Sequence, residues 1–221
     1  MKFKFISGTQ QERNSTIPIV ASAEKHSFIL ELLEHNRRGL STIYNEAIDR
    51  EQKAGDFDAL VLVHDDVYLT DVFWKEKLEK GFENYDIIGL AGTSYLSLKN
   101  MNLTTPIAWH NSPKDRWVGS VEHQTPNKDS FQWTHFGPAP APALTIDGLF
   151  IAVNLKTIED VRFDEDFAFH FYDLCFCLDA YKKQKNVGVA NIHTTHMSRG
   201  EGILNKEYND LQAKFIKKWE K

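Results

Sequence analysis

One short apolar run, residues 58–63 (DALVLV), limits the possible folds more than any other part of the sequence. An unbroken apolar run of this length is typical of a strand that is buried on both faces of a sheet. Helical patterns alternate with similar runs through the first half of the chain, which favours a mainly parallel central sheet. We therefore predict an α/β, Rossmann-like fold with helices on both faces of that sheet.

The other sequence patterns extend this alternation along the chain. Predicted strands cover residues 2–7, 28–33, 58–63, 85–91, 144–154 and 187–190, and predicted helices cover residues 15–25, 40–53, 73–82, 171–183 and 205–221. Residues 97–142 break the pattern, because they hold three tryptophans and most of the prolines. A long irregular stretch in a compact domain is usually a functional loop region or disordered. The tryptophans argue against disorder.

The composition argues against several classes of protein. A formal net charge of -5 and a pI of about 6.0 disfavour a nucleic-acid binder, which more often carries a basic surplus. Cys175 and Cys177 are too few and too close for a disulfide framework, which favours a reduced, cytoplasmic setting. No apolar run approaches membrane-spanning length, whereas peripheral association with the inner face of a membrane stays open.

The apolar run ends in His64, Asp65 and Asp66. In an open α/β sheet, ligands bind beyond the carboxyl ends of the strands. Successive side chains on an extended chain point to opposite sides, so His64 and Asp66 share a side. Asp66 is therefore a candidate ligand for a hard cation such as Mg²⁺ or Mn²⁺, with Asp65 turned toward a ribose or a backbone amide. A solvated acidic corner is the alternative, and spacing alone gives both equal weight.

A second acidic cluster contains Asp173. This residue stands at the start of a predicted helix, where a carboxylate is favoured as a cap. A carboxylate also stays ionised at neutral pH, so Asp173 is a candidate general base that accepts the proton of an attacking hydroxyl group. The sequence pattern leaves both roles open.

A third cluster spans residues 193–200 (HTTHMSRG). We predict that His196 completes a metal site formed elsewhere, and that Arg199, between a serine and a glycine, holds a diphosphate. A zinc site is less favoured, because no second pair of ligands follows at a familiar spacing. An ordinary polar loop is the structural alternative.

The motifs and their order resemble those of family-2-like glycosyltransferases of the GT-A type, in particular a bacterial glycosyltransferase-like subgroup. The matching pieces are residues 36–48 (NRRGLSTIYNEAI), 60–69 (LVLVHDDVYL), 147–153 (DGLFIAV), 163–178 (FDEDFAFHFYDLCFCL) and 193–200. They run in family order over nearly the whole chain. The set is fairly specific for the family and says little about the sugar.

The resemblance implies metal-dependent, inverting transfer of a hexose from a nucleotide-sugar donor, with a UDP-sugar favoured, to a saccharide or glycoconjugate acceptor. The expected cofactor is Mn²⁺ or Mg²⁺, and the expected pathway is polysaccharide biosynthesis. His64-Asp65-Asp66 looks like the Asp-x-Asp motif, with Asp66 on the metal and Asp65 on the nucleotide. The other donor-binding residues implied by the resemblance are Ser7, Thr9, Asn36, Arg37 and Asp147, to which the third cluster adds Arg199.

The catalytic motif departs from the family pattern. Tyr172-Asp173-Leu174-Cys175 occupies the place of Glu-Asp-x-Asp, so Asp173 keeps the position of the base while Tyr172 and Cys175 differ. These departures leave open a protein that binds a nucleotide-sugar or a carbohydrate without turnover. A nucleotidyltransferase fits less well, because the first strand is not followed by a glycine-rich loop with a lysine or an arginine.

The resemblance also suggests how one domain over residues 1–221 is divided. Residues 1–96 form the nucleotide-binding half, residues 97–142 the acceptor segment, and residues 143–221 the catalytic and acceptor half with the C-terminal helix. Trp109, Trp117 and Trp133 are acceptor candidates, because flat aromatic faces stack on the C–H surfaces of sugars. Packing within the loops is the alternative for these tryptophans.

Overall fold

The predicted buried strand lies in the middle of a seven-stranded sheet. The computed structural model describes residues 1–99, 101–125, 130–197 and 206–220. Its helices are α1 (Pro18–His26), α2 (Leu40–Ala54), α3 (Trp74–Gly81), α4 (Tyr172–Lys182) and α5 (Lys206–Trp219). Its strands are β1 (Phe3–Gly8), β2 (Ile29–Leu33), β3 (Ala59–Val63), β4 (Val67–Leu69), β5 (Ile87–Gly89), β6 (Ala91–Thr93), β7 (Trp117–Gln124), β8 (Phe131–His135), β9 (Ala141–Ala143), β10 (Thr145–Ile146), β11 (Phe150–Asn154), β12 (Val187–Val189) and β13 (Thr194–His196).

The central sheet has the strand order β2-β1-β3-β11-β5-β12-β9. Strands β2, β1, β3, β5 and β12 run in one direction, whereas β11 and β9 run in the other. All five residues of β3 are fully buried, in agreement with its unbroken apolar sequence. The α/β class with a central sheet is confirmed, and β11 lies antiparallel between β3 and β5.

A second sheet has six strands, and two of them, β4 and β13, belong to motifs identified in the sequence. Its order is β10-β6-β7-β13-β4, and β8 pairs with β7. Strand β4 begins directly after Asp66, and its antiparallel pairing with β13 sets Val67 opposite His196. Two motifs that are far apart in sequence therefore meet across one strand pair.

The expectation of an irregular segment over residues 97–142 is wrong for its second half. Strand β7 pairs with β6, β8 and β13, and β8 forms the other arm of a hairpin. Gly119 interrupts the β pattern of this strand in the sequence, yet its missing side chain is what allows β7 to lie against the backbone of Leu90. Its φ is +92°, and a Cβ there would lie 2.0 Å from the carbonyl oxygen of Leu90.

Two predicted strands are also divided in the structure. Residues 85–91 give β5 and the start of β6, which belong to different sheets. Residues 144–154 give β10 and β11, with a turn at Asp147 and Gly148 between them. This turn presents the Asp147 carboxylate beside the start of α4.

The C-terminal helix packs through its apolar face. Tyr208, Phe215 and Trp219 are buried, as their helical spacing predicts. The ring of Phe215 stacks on Phe171, the residue that immediately precedes α4. Within the described residues, none of the helices combines the length and the hydropathy needed to cross a membrane.

Candidate active site

Three side chains form a cluster suited to a metal ion. Ligand atoms of His64, Asp66 and His196 all lie within 4.8 Å of one another. Asp66 and His196 are close because His196, the last residue of β13, pairs with Val67, the residue after Asp66, and 3.3 Å separates Asp66 Oδ1 from His196 Nε2. His64 joins them because residues 65–66 form a turn, which the Val67 N–H closes by donating to the His64 carbonyl oxygen at 3.4 Å.

The charges in this cluster are coupled. Burial opposes ionisation of Asp66, but the nearby His196 and His64 outweigh it and lower the pKa of the carboxyl group. Burial likewise opposes the charged form of His196, but Asp66 raises the pKa of that imidazole. Burial lowers the pKa of His64. Two imidazole nitrogens and one carboxylate oxygen are a donor set that fits a divalent transition metal.

His64 is held on both its backbone and its ring. Its backbone N–H donates to the carbonyl oxygen of Leu149 at 3.0 Å. Its ring Nε2 lies 2.9 Å from the hydroxyl of Tyr172, which donates to the carbonyl oxygen of Gly148 at 2.7 Å. Position 148 needs glycine, because a Cβ there would lie 2.2 Å from the Tyr172 hydroxyl oxygen.

Asp173 lies on the first turn of α4 and is bound to the same glycine. Its carboxylate accepts hydrogen bonds from the N–H groups of Gly148 at 3.0 Å and Leu174 at 2.8 Å. Burial, and then the charge of Asp147, raise the pKa of Asp173 to about 7. The residue before the helix is Phe171, in the left-handed region with φ of +66°, so Asp173 does not occupy the capping position.

Asp147 is fixed beside Asp173 by two hydrogen bonds. One carboxylate oxygen accepts from the indole N–H of Trp109 at 2.9 Å, and the other accepts from the backbone N–H of Leu149 at 3.0 Å. The carboxylate is thereby held in one orientation, with its charge partly offset by the indole dipole.

Two cavities meet at this cluster. The first has a volume of about 640 Å³ and is lined by residues 8–11, 36–40, 64–66 and 168–169 and by Glu207. The second has a volume of about 520 Å³ and is lined by residues 106–111, 147–148 and 169–174, by His64 and by Tyr208. His64 and Phe169 line both cavities, and Phe169 is 53% exposed at their junction.

Eight of the residues predicted from the sequence line one of the two cavities, whereas His196 belongs to the metal cluster and lies outside both described linings. The donor and metal candidates that line the first cavity are Thr9, Asn36, Arg37, Asp65 and Asp66. The candidates that line the second are Trp109, Asp147 and Asp173. Ser7 is fully buried in β1 and lies outside the described lining of both cavities, and Arg199 falls outside the described residues.

The three tryptophans lie in different surroundings. Trp109 faces the second cavity. Trp117 packs edge-on against Trp109 with ring centroids 5.9 Å apart, and its indole donates to the carbonyl oxygen of Ser112. Trp133 stacks on His193 at 4.0 Å, on the hairpin. Among the described lining residues of the second cavity, Trp109 is the one tryptophan, and the other two take part in packing.

Sequence reasoning missed three contributors to this site. His64 was placed on the side of Asp66 but was not assigned to the metal, although the shared side was the signal. Tyr172 was read only as a departure from a family pattern. Phe169 carried no sequence signal, because nothing in the sequence distinguishes it from the other aromatic residues just before α4.

Comparison with known proteins supports one family. A model of the glycosyltransferase-like family matches residues 33–219. No curated protein is significantly similar in sequence. The structure of A197 from STIV has a TM-score of 0.54 and 11% sequence identity, over 86% of this chain and 82% of that chain.

A second solved structure is that of GalNAc-T7 with UDP, GalNAc and Mn²⁺. It has a TM-score of 0.55 and 8% sequence identity, over 91% of this chain and 44% of that chain. At such low identity these likenesses show the fold alone, whereas the family model spans most of the chain. The protein therefore belongs to the glycosyltransferase-like family and has a GT-A glycosyltransferase fold.

Proposed function

We propose that the protein transfers a sugar from a nucleotide-sugar donor to a hydroxyl group of a saccharide or glycoconjugate acceptor, with a divalent metal and with inversion at the anomeric carbon. The observation that carries this proposal is the meeting of two cavities at His64 and Phe169. Asp66 lines one cavity and Asp173 lines the other. A donor and an acceptor in separate cavities would meet where these side chains lie.

The metal would be held by His64, Asp66 and His196. When bound there, it would stabilise the negative charge that develops on the departing diphosphate. Mn²⁺ suits this donor set better than Mg²⁺, because Mg²⁺ prefers oxygen ligands and retained waters whereas imidazole suits transition metals. The structure of the fold relative GalNAc-T7 was solved with Mn²⁺.

The donor nucleotide would occupy the first cavity. Asn36 lies beside Thr9 because its backbone N–H donates to the Thr9 carbonyl oxygen at 2.7 Å. Arg37 supplies positive charge to a diphosphate, and Asp65 offers a carboxylate to ribose hydroxyls. UDP is the favoured nucleotide by the family resemblance, and Arg199 is proposed as a further diphosphate ligand because a guanidinium group pairs with phosphate oxygens.

Asp173 would act as the general base from the second cavity. Its carboxylate takes the proton of the acceptor hydroxyl as that oxygen bonds to the anomeric carbon. The bond from that carbon to the diphosphate oxygen breaks, and the electron pair leaves with the nucleoside diphosphate. A pKa of about 7 suits this role, because a base works best with a pKa near the working pH. Attack from the face opposite the diphosphate inverts the anomeric carbon.

The remaining assignments follow from this placement. We assign residues 1–96 to donor binding, residues 97–142 to the acceptor side through Trp109, and residues 143–221 to the base and the acceptor. The cytoplasmic location, the peripheral association with the inner membrane face and the role in polysaccharide biosynthesis stay predictions.

The test replaces the proposed base. We expect Asp173→Asn to lower the rate of transfer by roughly 10²–10⁴-fold while UDP-sugar binding is preserved. The matched control is Asp160→Asn, a surface carboxylate paired with Lys183, which should leave transfer unchanged. The assay measures release of UDP from a panel of UDP-sugars and acceptors with Mn²⁺. Full transfer by Asp173→Asn would remove the base from this mechanism, and loss of donor binding would indicate a structural role.

A further inference from the structure

Tyr172 differs from the acidic residue that the family pattern has at this position, and its hydroxyl contacts a proposed metal ligand. We infer that this hydroxyl fixes the tautomer of His64, so that Nε2 carries the proton and Nδ1 is the atom left to bind the metal. The inference rests on the metal site of the proposed function. It makes Tyr172 a positioning residue for that site.

The assignment follows from counting protons. The Tyr172 hydroxyl has one proton, and the carbonyl oxygen of Gly148 at 2.7 Å has none, so the hydroxyl must donate to this carbonyl. The hydroxyl oxygen then accepts from its other partner, His64 Nε2 at 2.9 Å. A neutral imidazole carries one N–H and a metal binds the nitrogen without it, so Nδ1 is the free ligand.

The surroundings keep this arrangement in place. Tyr172 is buried, and its ring packs against Phe163 and Tyr44 with centroids 5.8 and 6.3 Å away. The missing Cβ of Gly148 leaves the space that the hydroxyl occupies. A hydrogen bond to the other nitrogen of a metal-bound histidine commonly fixes its tautomer and ring orientation.

The same peptide group joins the metal site to the base. The Gly148 carbonyl accepts from Tyr172, and the Gly148 N–H donates to Asp173. A carboxylate at position 172, as in the family pattern, would have no proton to give to this carbonyl when ionised. The departure at Tyr172 is therefore matched to the local hydrogen bonding of this chain.

The direct test observes the tautomer of His64 in the metal-free protein. Two-bond ¹H–¹⁵N spectra of protein labelled at histidine nitrogens distinguish a protonated Nε2 from a protonated Nδ1 at mildly alkaline pH. We expect protonated Nε2 in the wild type and loss of this strict preference in Tyr172→Phe. Protonated Nδ1 in the wild type would overturn the inference, whether or not the variant folds.

The second test measures Mn²⁺ affinity by titration calorimetry or by electron paramagnetic resonance. We expect Tyr172→Phe to bind Mn²⁺ about 10–100-fold more weakly than the wild type, as for other hydrogen-bond partners of metal ligands. The matched control is Tyr44→Phe, which keeps the ring that packs against Tyr172 and removes only another buried hydroxyl, 3.4 Å from the Val63 carbonyl oxygen. This control should keep wild-type affinity, and urea unfolding checks that both variants fold.

The outcomes separate this inference from the proposed function. If the wild type binds Mn²⁺ and Tyr172→Phe binds it equally well, the positioning role is wrong and the metal site stands. If the wild type binds no Mn²⁺, the proposed metal site itself fails. An equal loss of affinity in Tyr44→Phe would show that general damage to the core, rather than the tautomer of His64, weakens the site.

Discussion

Replacement of Asp173 by asparagine should change how the stability of the protein depends on pH. Relative to wild type, the variant should gain free energy of unfolding as the pH rises from acidic to neutral. The fold raises the pKa of this carboxyl group from 3.8 to about 7, through burial and then the charge of Asp147. A raised pKa means that the folded state holds the proton more tightly than the unfolded chain does. Folding free energy from Asp173 is therefore fully present at low pH and is lost as pH rises toward 7.

The size of the effect follows from the shift. Each pKa unit corresponds to about 1.36 kcal/mol, so between roughly pH 5 and pH 8 the ionisation of Asp173 should cost the wild type about 2.5 kcal/mol. Water in the second cavity, which Asp173 lines, reduces this value. The asparagine of the variant does not titrate, and the hydrogen bond it loses to Gly148 or Leu174 costs about 1 kcal/mol at every pH.

Urea unfolding of both proteins at several pH values, with a chelator present, measures this difference. The free energy of unfolding of Asp173→Asn minus that of wild type should rise by about 2 kcal/mol from pH 5 to pH 8. Asp160→Asn is the control of opposite sign, because a hydrogen bond from Lys183 lowers the pKa of Asp160. Its difference from wild type should not rise. A flat difference for Asp173→Asn would refute the raised pKa and with it the tuned base.

Three further predictions concern activity and packing at the site. The kcat/KM of transfer should rise from acidic toward neutral pH. The midpoint should lie at or below about 7, because a nearby cation favours the ionised base. A profile that falls over this range would contradict Asp173 as base. Gly148→Ala should lower the free energy of unfolding by roughly 1–3 kcal/mol in thermal or urea unfolding, since its Cβ would lie 2.2 Å from the Tyr172 hydroxyl. Wild-type stability in this variant would show that the turn adapts. Trp109→Phe removes the N–H group that donates to the Asp147 carboxylate. It should lower kcat/KM by about 10-fold with little change in Mn²⁺ affinity. Unchanged kinetics would mean that Asp147 needs no such support.

Local patterns predicted the elements that carry the site better than their arrangement. Strand β3 and its polar corner were predictable because an unbroken apolar run and a sudden acidic end are both visible in a few residues. The place of β11 between β3 and β5 was not, since no local signal reports which strands become neighbours. The hairpin of β7 and β8 was not predicted, because the tryptophans and prolines of residues 97–142 obscure the alternation that marks a strand.

The candidate site shows the same division. Asp66, His196 and Asp173 were proposed from the sequence, and the structure places the first two in one cluster. The hydroxyl of Tyr172 on His64 was beyond sequence reasoning, because it depends on the angle between a helix and a strand end that are far apart along the chain. Tyr172 departs from the family pattern, yet its hydroxyl completes a set of hydrogen bonds between His64 and Gly148.

The central claim is that a divalent metal at His64, Asp66 and His196 recruits a nucleotide-sugar to the first cavity. Titration calorimetry of UDP into the protein, with Mn²⁺ and with a chelator, tests it most directly. We predict binding that requires Mn²⁺ and that is lost in Asp66→Asn. Equal binding with and without the metal, or binding that survives in Asp66→Asn, would contradict the claim.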